Sequence, residues 1–328
     1  MALEDRYRRK IDYLRVSVTD RCNFRCLYCM PAEGVDQLDH NEILTYEEIM
    51  RVIAAASRFG VRKVRITGGE PLVRRGIVGF IRNLAATGMI DDLSMTTNGH
   101  FLAPLAAQLK AAGLDRVNIS LDTADPARFS VLTRGATVGE TLAGIREALA
   151  AGLQPLKINT VLTNLFTPED LAYFLDLVTA FPVLVRFIEY MPVGAARLSA
   201  GPNPAAIKAM LEAAGRGSLE PVADKLGNGP AKYYRLRGTK GLFGFIAPLS
   251  EHFCRSCNRM RLTADGKLKP CLLSDREVDI KPILRNGGTD DMLAEAFAMA
   301  VQAKPEGHTL CRPSGHPEFQ RQMFQIGG

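Results

Sequence analysis

Tyr13-Leu14-Arg15-Val16-Ser17-Val18-Thr19-Asp20-Arg21-Cys22-Asn23-Phe24-Arg25-Cys26-Leu27-Tyr28-Cys29 joins a strand to a metal-binding loop. Residues 13–19 alternate Leu14, Val16 and Val18 with polar side chains, the period of two that a half-buried β-strand requires. Three cysteines follow at once, spaced Cys22-x-x-x-Cys26-x-x-Cys29. A cubane [4Fe–4S] cluster takes four thiolates. This loop offers three, which leaves one iron open to bind something else. A disulfide framework accounts poorly for seven cysteines spread through 328 residues, sparse and odd in number. Structural zinc normally draws four ligands from two pairs, and no fourth lies near residues 22–29.

Beyond this loop, β-rich runs near 14–19, 61–67, 92–97, 114–121, 155–162 and 183–190 alternate with helical patterns. In the first helix Thr45 and Glu48 form a capping box, and Ile49, Val52, Ile53 and Ala56 repeat at helical spacing, with Gly60 ending it. A later helix starts at Thr167 with Pro168 in its first position. Six strand–helix units predict parallel strands with right-handed crossovers. Periodicity alone does not separate an open doubly wound sheet from a barrel. Between 192 and 229 the composition turns to Gly, Pro, Ala and charge, with a helix near 204–214, so the chain divides into residues 1–215 and 216–328. The second part carries strand patterns at 233–236 and 241–248. There is no internal repeat beyond the βα rhythm, and no low-complexity tract.

A second cysteine set lies in this C-terminal part: Cys254-x-x-Cys257, then Cys271. Spacing alone leaves a zinc ribbon completed by His252, His308 or Cys311 as an alternative. Arg259 and Arg261 follow directly, and in an extended segment both point to one side. Two guanidinium forks so placed suit the oxygens of one phosphate group. Gly68-Gly69-Glu70-Pro71 follows the second strand, where two glycines allow close approach of a ligand to the backbone.

With 47% apolar and 23% charged residues the chain is an ordinary globular protein with a real core. Its first residues mix Glu4 and Asp5 with Arg6, Arg8, Arg9 and Lys10 and contain no apolar leader, and no stretch approaches a membrane span. A cytoplasmic location with no membrane partner is expected. The net charge of +6 is spread without a long basic block, which fits a polyphosphate substrate as well as nucleic acid.

At the cysteine loop the chain resembles the radical S-adenosylmethionine superfamily. Within it, the run 14–26, Arg65-Ile66-Thr67-Gly68-Gly69-Glu70-Pro71, Thr96-Thr97-Asn98-Gly99, Cys254 to Arg261 and the terminal Gly327-Gly328 are similar to the molybdenum cofactor biosynthesis A family of GTP cyclases. The resemblance covers nearly the whole chain. It implies a partial six-stranded (β/α)6 TIM-like barrel, open on one side, with a smaller C-terminal cluster-binding domain. It also implies that Cys22, Cys26 and Cys29 hold a [4Fe–4S] cluster that binds S-adenosylmethionine, with Tyr28, Gly69, Ser120 and Met191 as further contacts. Cys254, Cys257 and Cys271 would hold a second [4Fe–4S] cluster whose open iron meets the guanine of GTP. Arg15, Arg65, Thr96, Lys157, Arg259, Met260 through its main chain, and Arg261 would contact that substrate.

The activity implied is GTP 3′,8-cyclisation, the first step of molybdopterin synthesis. A 5′-deoxyadenosyl radical takes hydrogen from C3′ of GTP, and the carbon radical adds to C8. Gly327 and Gly328 would enter the active site. Partners implied are a ferredoxin- or flavodoxin-type one-electron reductant, a second copy of the chain, and the downstream cyclic pyranopterin monophosphate synthase, with no nucleic acid. The rivals are another two-cluster radical enzyme, such as a peptide maturase, and a zinc-ribbon protein binding nucleic acid. On this reading the candidate residues of the barrel, from the Cys22 loop and 67–71 to Thr96, Ser120, Lys157 and Met191, gather at the C-terminal strand ends, where barrel chemistry collects.

Overall fold

The computed structural model describes residues 3–34, 37–193, 198–224, 226–308 and 321–327. Each of the six expected runs forms a strand: β1 (Tyr13–Ser17), β2 (Lys63–Thr67), β3 (Asp92–Thr97), β4 (Arg116–Ser120), β5 (Lys157–Leu162) and β6 (Leu184–Glu189). They pair in sequence order, all parallel. Between and after them run α1 (Tyr46–Ser57), α2 (Ile77–Ala86), α3 (Ala106–Ala111), α4 (Pro126–Thr133), α5 (Val138–Ala150) and α6 (Pro168–Ala180).

Local chemistry sets the helix ends. Thr45 and Glu48 form the expected capping box on α1, and Thr167 with Asp170 forms another on α6, where Pro168 takes the first turn. Ile49, Val52, Ile53 and Ala56 of α1 are buried together against the strands. Truncating one of the larger of these to Ala would cost about 2–5 kcal/mol.

The C-terminal part contributes α7 (Pro204–Leu211), β7 (Glu220–Val222), β8 (Lys232–Arg235), β9 (Leu242–Ile246), β10 (Arg259–Leu262), β11 (Lys267–Lys269), β12 (Val278–Asp279), α8 (Lys281–Arg285) and α9 (Asp290–Gln302). These strands make no sheet of their own. β9 pairs parallel with β6, and β10 pairs parallel with β1, so the six-strand core gains a parallel neighbour on each side. Antiparallel strands β8 and β7 extend one edge and β11 and β12 the other, giving the order β12-β11-β10-β1-β2-β3-β4-β5-β6-β9-β8-β7. The sequence division at 215/216 falls within a π-helical turn, Glu212–Arg216.

Strand alternation sorts side chains into two layers. Leu14, Val16, Val64, Ile66, Met95, Val117, Ile119, Ile158, Val185, Phe187, Met260 and Leu262 share one apolar core with the helices. The opposite face lines the inside of the partial barrel, and it is basic. No helix of the described residues is long and apolar enough to cross a membrane.

Candidate active site

The first cysteine loop leaves β1 and is pinned on both sides. Its Arg25 and Leu27 amides donate to the Thr133 and Leu132 carbonyls at 3.2 and 2.9 Å, at the end of α4. Arg134, in left-handed backbone at φ 57°, donates through Nη1 to the carbonyls of Arg25 (2.9 Å) and Met30 (2.7 Å). The root of the loop rests on the glycine pair. Gly69 N–H donates to Thr19 O and Glu70 N–H to Arg21 O, both at 2.8 Å. A Cβ added at Gly69 would fall 2.3 Å from Arg21 O, and one at Gly68 2.8 Å from Thr19 O. The close approach expected of these glycines is therefore first of all to the cysteine loop's own backbone.

Burial pushes the Cys22 thiol up to about 11 and Cys29 up to about 12, and holds Cys26 well above its ordinary value, with neighbouring thiols adding to the effect at Cys26 and Cys29. Metal binding there must displace protons, as thiolate ligation requires. Around the thiols, Tyr28 donates its hydroxyl to Asp122 at 2.7 Å, and Asp122 also accepts from the Val161 amide at 2.8 Å. Tyr28, Cys26, Asn98, Ser120 and Asp122 line one recess with Phe24. Buried Glu70 accepts from Leu72 N, Thr97 Oγ1 and Asn98 N at 3.0, 2.8 and 2.7 Å. Desolvation nevertheless lifts its carboxyl to about 7.

The register aligns Arg261, Arg15, Arg65, Ser94 and Arg116 in one row across five strands. Thr96, Asn118 and Lys157 form a second row, and Arg186 stands opposite Asn159. Arg186 donates to Asn118 Oδ1 at 2.9 Å across β5, and Arg65 Nε to Ser94 Oγ at 3.3 Å. Arg116 pairs with Asp92 at 2.6 Å, and Lys63 with Asp12 at 2.6 Å. Burial first, then Arg186, Arg116 and Arg259, depress Arg65 to about 10 although Tyr13 opposes them. Arg261 likewise falls to about 10 through burial and then Arg259. Among the described residues, Arg65 Nη2, Arg116 Nε and Nη2, Arg186 Nε, Arg259 Nε and Thr96 Oγ1 are buried with no hydrogen-bond acceptor or donor to meet them. Such crowding of buried donors is costly and suits a polyanion.

One sequence expectation changes here. Lys157 is the first residue of β5, so it lies at the N-terminal end of its strand and not at the C-terminal mouth with Ser120. Its ammonium donates to Leu226 O at 2.6 Å, under the loop after β7, and burial followed by Arg186, Arg116 and Arg65 pushes it down to about 6. Met260 is fully buried on the helix side of β10, between Arg259 and Arg261 that face inward, so only its main chain is open to a substrate contact. Met191 packs against Val193 and Leu273 in a small apolar cluster that also takes in Cys271 and Met323. Sequence reasoning passed over Arg116, Arg186 and Lys63. Their strand parity, shared with Arg65 and Arg15, was the available signal.

The second set is formed by the short turn Cys254–Ser256, Cys257 and Cys271 after β11. Here the environment acts the other way on one thiol. Burial raises Cys257, yet Arg259 and Lys304 outweigh it and bring it to about 7. His252 and His308 bring ring nitrogens within 4.8 Å of Cys254 Sγ and of each other, but Cys257 and Cys271 are not part of that group, and Cys311 lies outside the described residues. Arg9 reaches from the N-terminal segment to hold this turn: it pairs with Asp5 at 2.5 Å and donates to the carbonyls of Cys254, Glu306 and Pro305 at 2.8, 2.9 and 2.6 Å.

The C-terminal tail threads between the two sets. Arg321 anchors it through Asp265 at 2.8 Å and Glu277 at 2.6 Å. Met323 then packs beside Cys271, the Phe324 backbone amide faces the Cys29 sulfur, and Gly327 enters the barrel beside Thr67. Arg261 Nη1 donates to Gly327 O at 2.9 Å and to Ile326 O at 3.3 Å. Gly327 has φ 71°, and a Cβ there would meet Thr67 Oγ1 at 2.3 Å. Gly328 lies outside the described residues.

Comparison with known proteins accounts for both halves. Residues 16–178 match the Radical SAM superfamily and residues 183–310 match Molybdenum Cofactor Synthesis C. A GTP 3′,8-cyclase of Heliobacterium modesticaldum is 47% identical over 327 residues, covering 99% of both chains. One of Moorella thermoacetica is 48% identical over 330 residues, covering 99% of this chain and 100% of that one. Among solved structures, Streptococcus suis SuiB bound to S-adenosylmethionine superposes with a TM-score of 0.62 at 15% identity, covering 96% of this chain and 77% of that one. This last likeness is one of fold.

Proposed function

The chain belongs to the GTP 3′,8-cyclase family of the radical SAM superfamily, and we propose that its basic barrel interior holds GTP between two cysteine-bound clusters. Its activity is the conversion of GTP to (8S)-3′,8-cyclo-7,8-dihydroguanosine 5′-triphosphate, the first step of molybdenum cofactor biosynthesis. Its cofactors are two [4Fe–4S] clusters and S-adenosylmethionine. The observation that carries the assignment of residues is the row of cations running from Arg261 through Arg15 and Arg65 to Arg116, of which Arg261, Arg65 and Arg116 are buried.

The residues fit the groups. Cys22, Cys26 and Cys29 lie on one short pinned loop and would hold the cluster that binds S-adenosylmethionine; Cys254, Cys257 and Cys271 would hold the other. When bound, the first cluster and S-adenosylmethionine supply one-electron cleavage and with it the radical chemistry. The rest is the work of the chain. Glu70 sits at the head of the loop with a carboxyl lifted to about 7, and a ligand ammonium beside it would favour the ionised form. Tyr28, Ser120 and Asp122 line the recess against Cys26 and orient what enters it. Arg15, Arg65, Arg259 and Arg261, with Thr96, Lys157 and the newly found Arg116 and Arg186, would grip the triphosphate and fix the ribose in reach of the radical. Gly327 beside Arg261 would cover the site and exclude water.

Residues 1–215 would thus carry radical generation, and 216–328 the second cluster and part of the GTP grip. The partners in this reading are a ferredoxin- or flavodoxin-type reductant, a second copy of the chain, and the downstream cyclic pyranopterin monophosphate synthase, all in the cytoplasm. The test is anaerobic incubation with GTP, S-adenosylmethionine and a strong reductant. Equimolar 5′-deoxyadenosine and a cyclised nucleotide are expected. Formation of 5′-deoxyadenosine that is indifferent to GTP, with no cyclised product, would overturn the reading.

A further inference from the structure

Lys304 follows α9 and is buried, 3% exposed. Its ammonium donates to Arg259 O at 2.7 Å and to Pro270 O at 2.6 Å, and it faces the sulfurs of Cys257 and Cys271. The two carbonyls take two of its three donors. Pro270 directly precedes Cys271, and Arg259 stands two residues after Cys257, so one side chain ties together the two segments that bring these thiols side by side. No carboxylate among the described residues pairs with it. Arg9, on the other side of the same turn, makes a useful contrast: it has its own carboxylate in Asp5 and touches Cys254 only through the carbonyl. A buried ammonium is costly unless an anion faces it. Burial lowers the pKa of Lys304, and what acts against it is the negative charge that the sulfurs of Cys257 and Cys271 carry as ligands.

We propose that Lys304 is a positioning residue for the second cluster, orienting Cys257 and Cys271 and serving as the buried counter-cation that raises the cluster's reduction potential. The proposal rests on the assignment of Cys254, Cys257 and Cys271 to that cluster. A fixed positive charge against the sulfurs stabilises the reduced, more negative state over the oxidised one, so the direction follows from Coulomb attraction alone. Arg9 orders the turn through Cys254 O and carries no comparable charge effect, since Asp5 neutralises it.

The experiment is a potentiometric titration followed by electron paramagnetic resonance on anaerobically reconstituted full-length protein, for the wild type, Lys304→Met, Lys304→Gln, Lys304→Arg and Arg9→Gln. Wild-type protein must first carry about eight irons, the content of two cubanes; four irons would remove the assignment on which the proposal stands, independently of any potential. Expected is a lower potential and an altered reduced spectrum for the second cluster in Lys304→Met, an unchanged first cluster, and recovery in Lys304→Arg. Arg9→Gln should lower occupancy of the second cluster while leaving the potential of what remains. Should Lys304→Met fail to hold the cluster, Lys304→Gln decides: loss in Gln with retention in Arg supports a need for charge. A second cluster of wild-type potential and spectrum in either neutral variant would overturn the proposal.

Discussion

Arg261 Nη1 donates to the carbonyl oxygen of Gly327 at 2.9 Å, joining a strand of the barrel wall to the end of the chain inside it. The same guanidinium lies in the cation row assigned to phosphate. Arg261→Ala should therefore weaken GTP binding about tenfold to over a hundredfold, the loss expected of a charged hydrogen bond worth about 1.5–3 kcal/mol. Guanosine, which lacks phosphates, should lose much less. Anaerobic binding titrations of both ligands check this, and equal losses would mean that Arg261 serves only the tail.

The tail has its own anchor. Arg321 is held well above the usual guanidinium range by Glu277 and Asp265, which outweigh the cost of burial. Arg321→Ala should free residues 321–327 at a local cost of about 1.5–3 kcal/mol. Cyclisation should fall while cleavage of S-adenosylmethionine continues, so the ratio of 5′-deoxyadenosine to cyclised product is the measurement. A ratio equal to wild type would show that the tail is held without this residue.

Replacement of one ligand in each cysteine set should separate the two functions. Cys26→Ser is expected to abolish 5′-deoxyadenosine formation, because two remaining thiolates do not hold a site-differentiated cubane. Cys257→Ser should leave that first cluster assembled and damage GTP binding instead. Iron analysis with product chromatography reads both, and zinc appearing in place of the second cluster would restore the ribbon alternative.

Gly69→Ala tests the seat of the cysteine loop. Its Cβ cannot stay 2.3 Å from Arg21 O, so the loop must shift. Overpacking of this kind costs about 1–3 kcal/mol. Expected is a lower melting temperature and selective loss of the first cluster's irons. Full iron content at wild-type stability would mean that the backbone yields elsewhere.

Lys157 supplies a pH test. With its ligand-free value near 6, the amine is neutral at about pH 7 to 8, and a bound triphosphate draws it back to the charged form. GTP binding then takes up a proton, and affinity falls as pH rises through that window. Calorimetry in buffers of different ionisation enthalpy should detect the uptake in wild type and not in Lys157→Met. No difference between them would leave Lys157 as a partner of Leu226 alone.

The βα rhythm is legible because alternation in β1 and i, i+3, i+4 spacing in α1 are local properties, as are the capping pairs at Thr45 and Thr167. Both cysteine sets are legible for the same reason. The partners of β9 and β10 are not, since nothing within 242–246 specifies pairing with β6, and nothing within 259–262 specifies pairing with β1 at the far end of the chain. Arg116 and Arg186 read singly as solvated charges. Their meaning appears only when register sets them beside Arg65. Lys304 and Arg9 are harder still, because each acts on main-chain carbonyls far from it in sequence.

The flanking of β1 by β10 and of β6 by β9 bears on how the chain can be made. During synthesis, the strands β1 to β6 leave the ribosome before either flank exists. Until the rest of the chain arrives, two parallel edges stand open, an arrangement prone to pairing with other chains. Contacts between residues as distant as Tyr13 and Arg259 also slow folding, because a long loop must close before they are gained. A fragment ending before residue 242 would keep both edges open permanently. Recombinant halves of this protein should therefore aggregate, and co-expression of the missing C-terminal piece should rescue solubility.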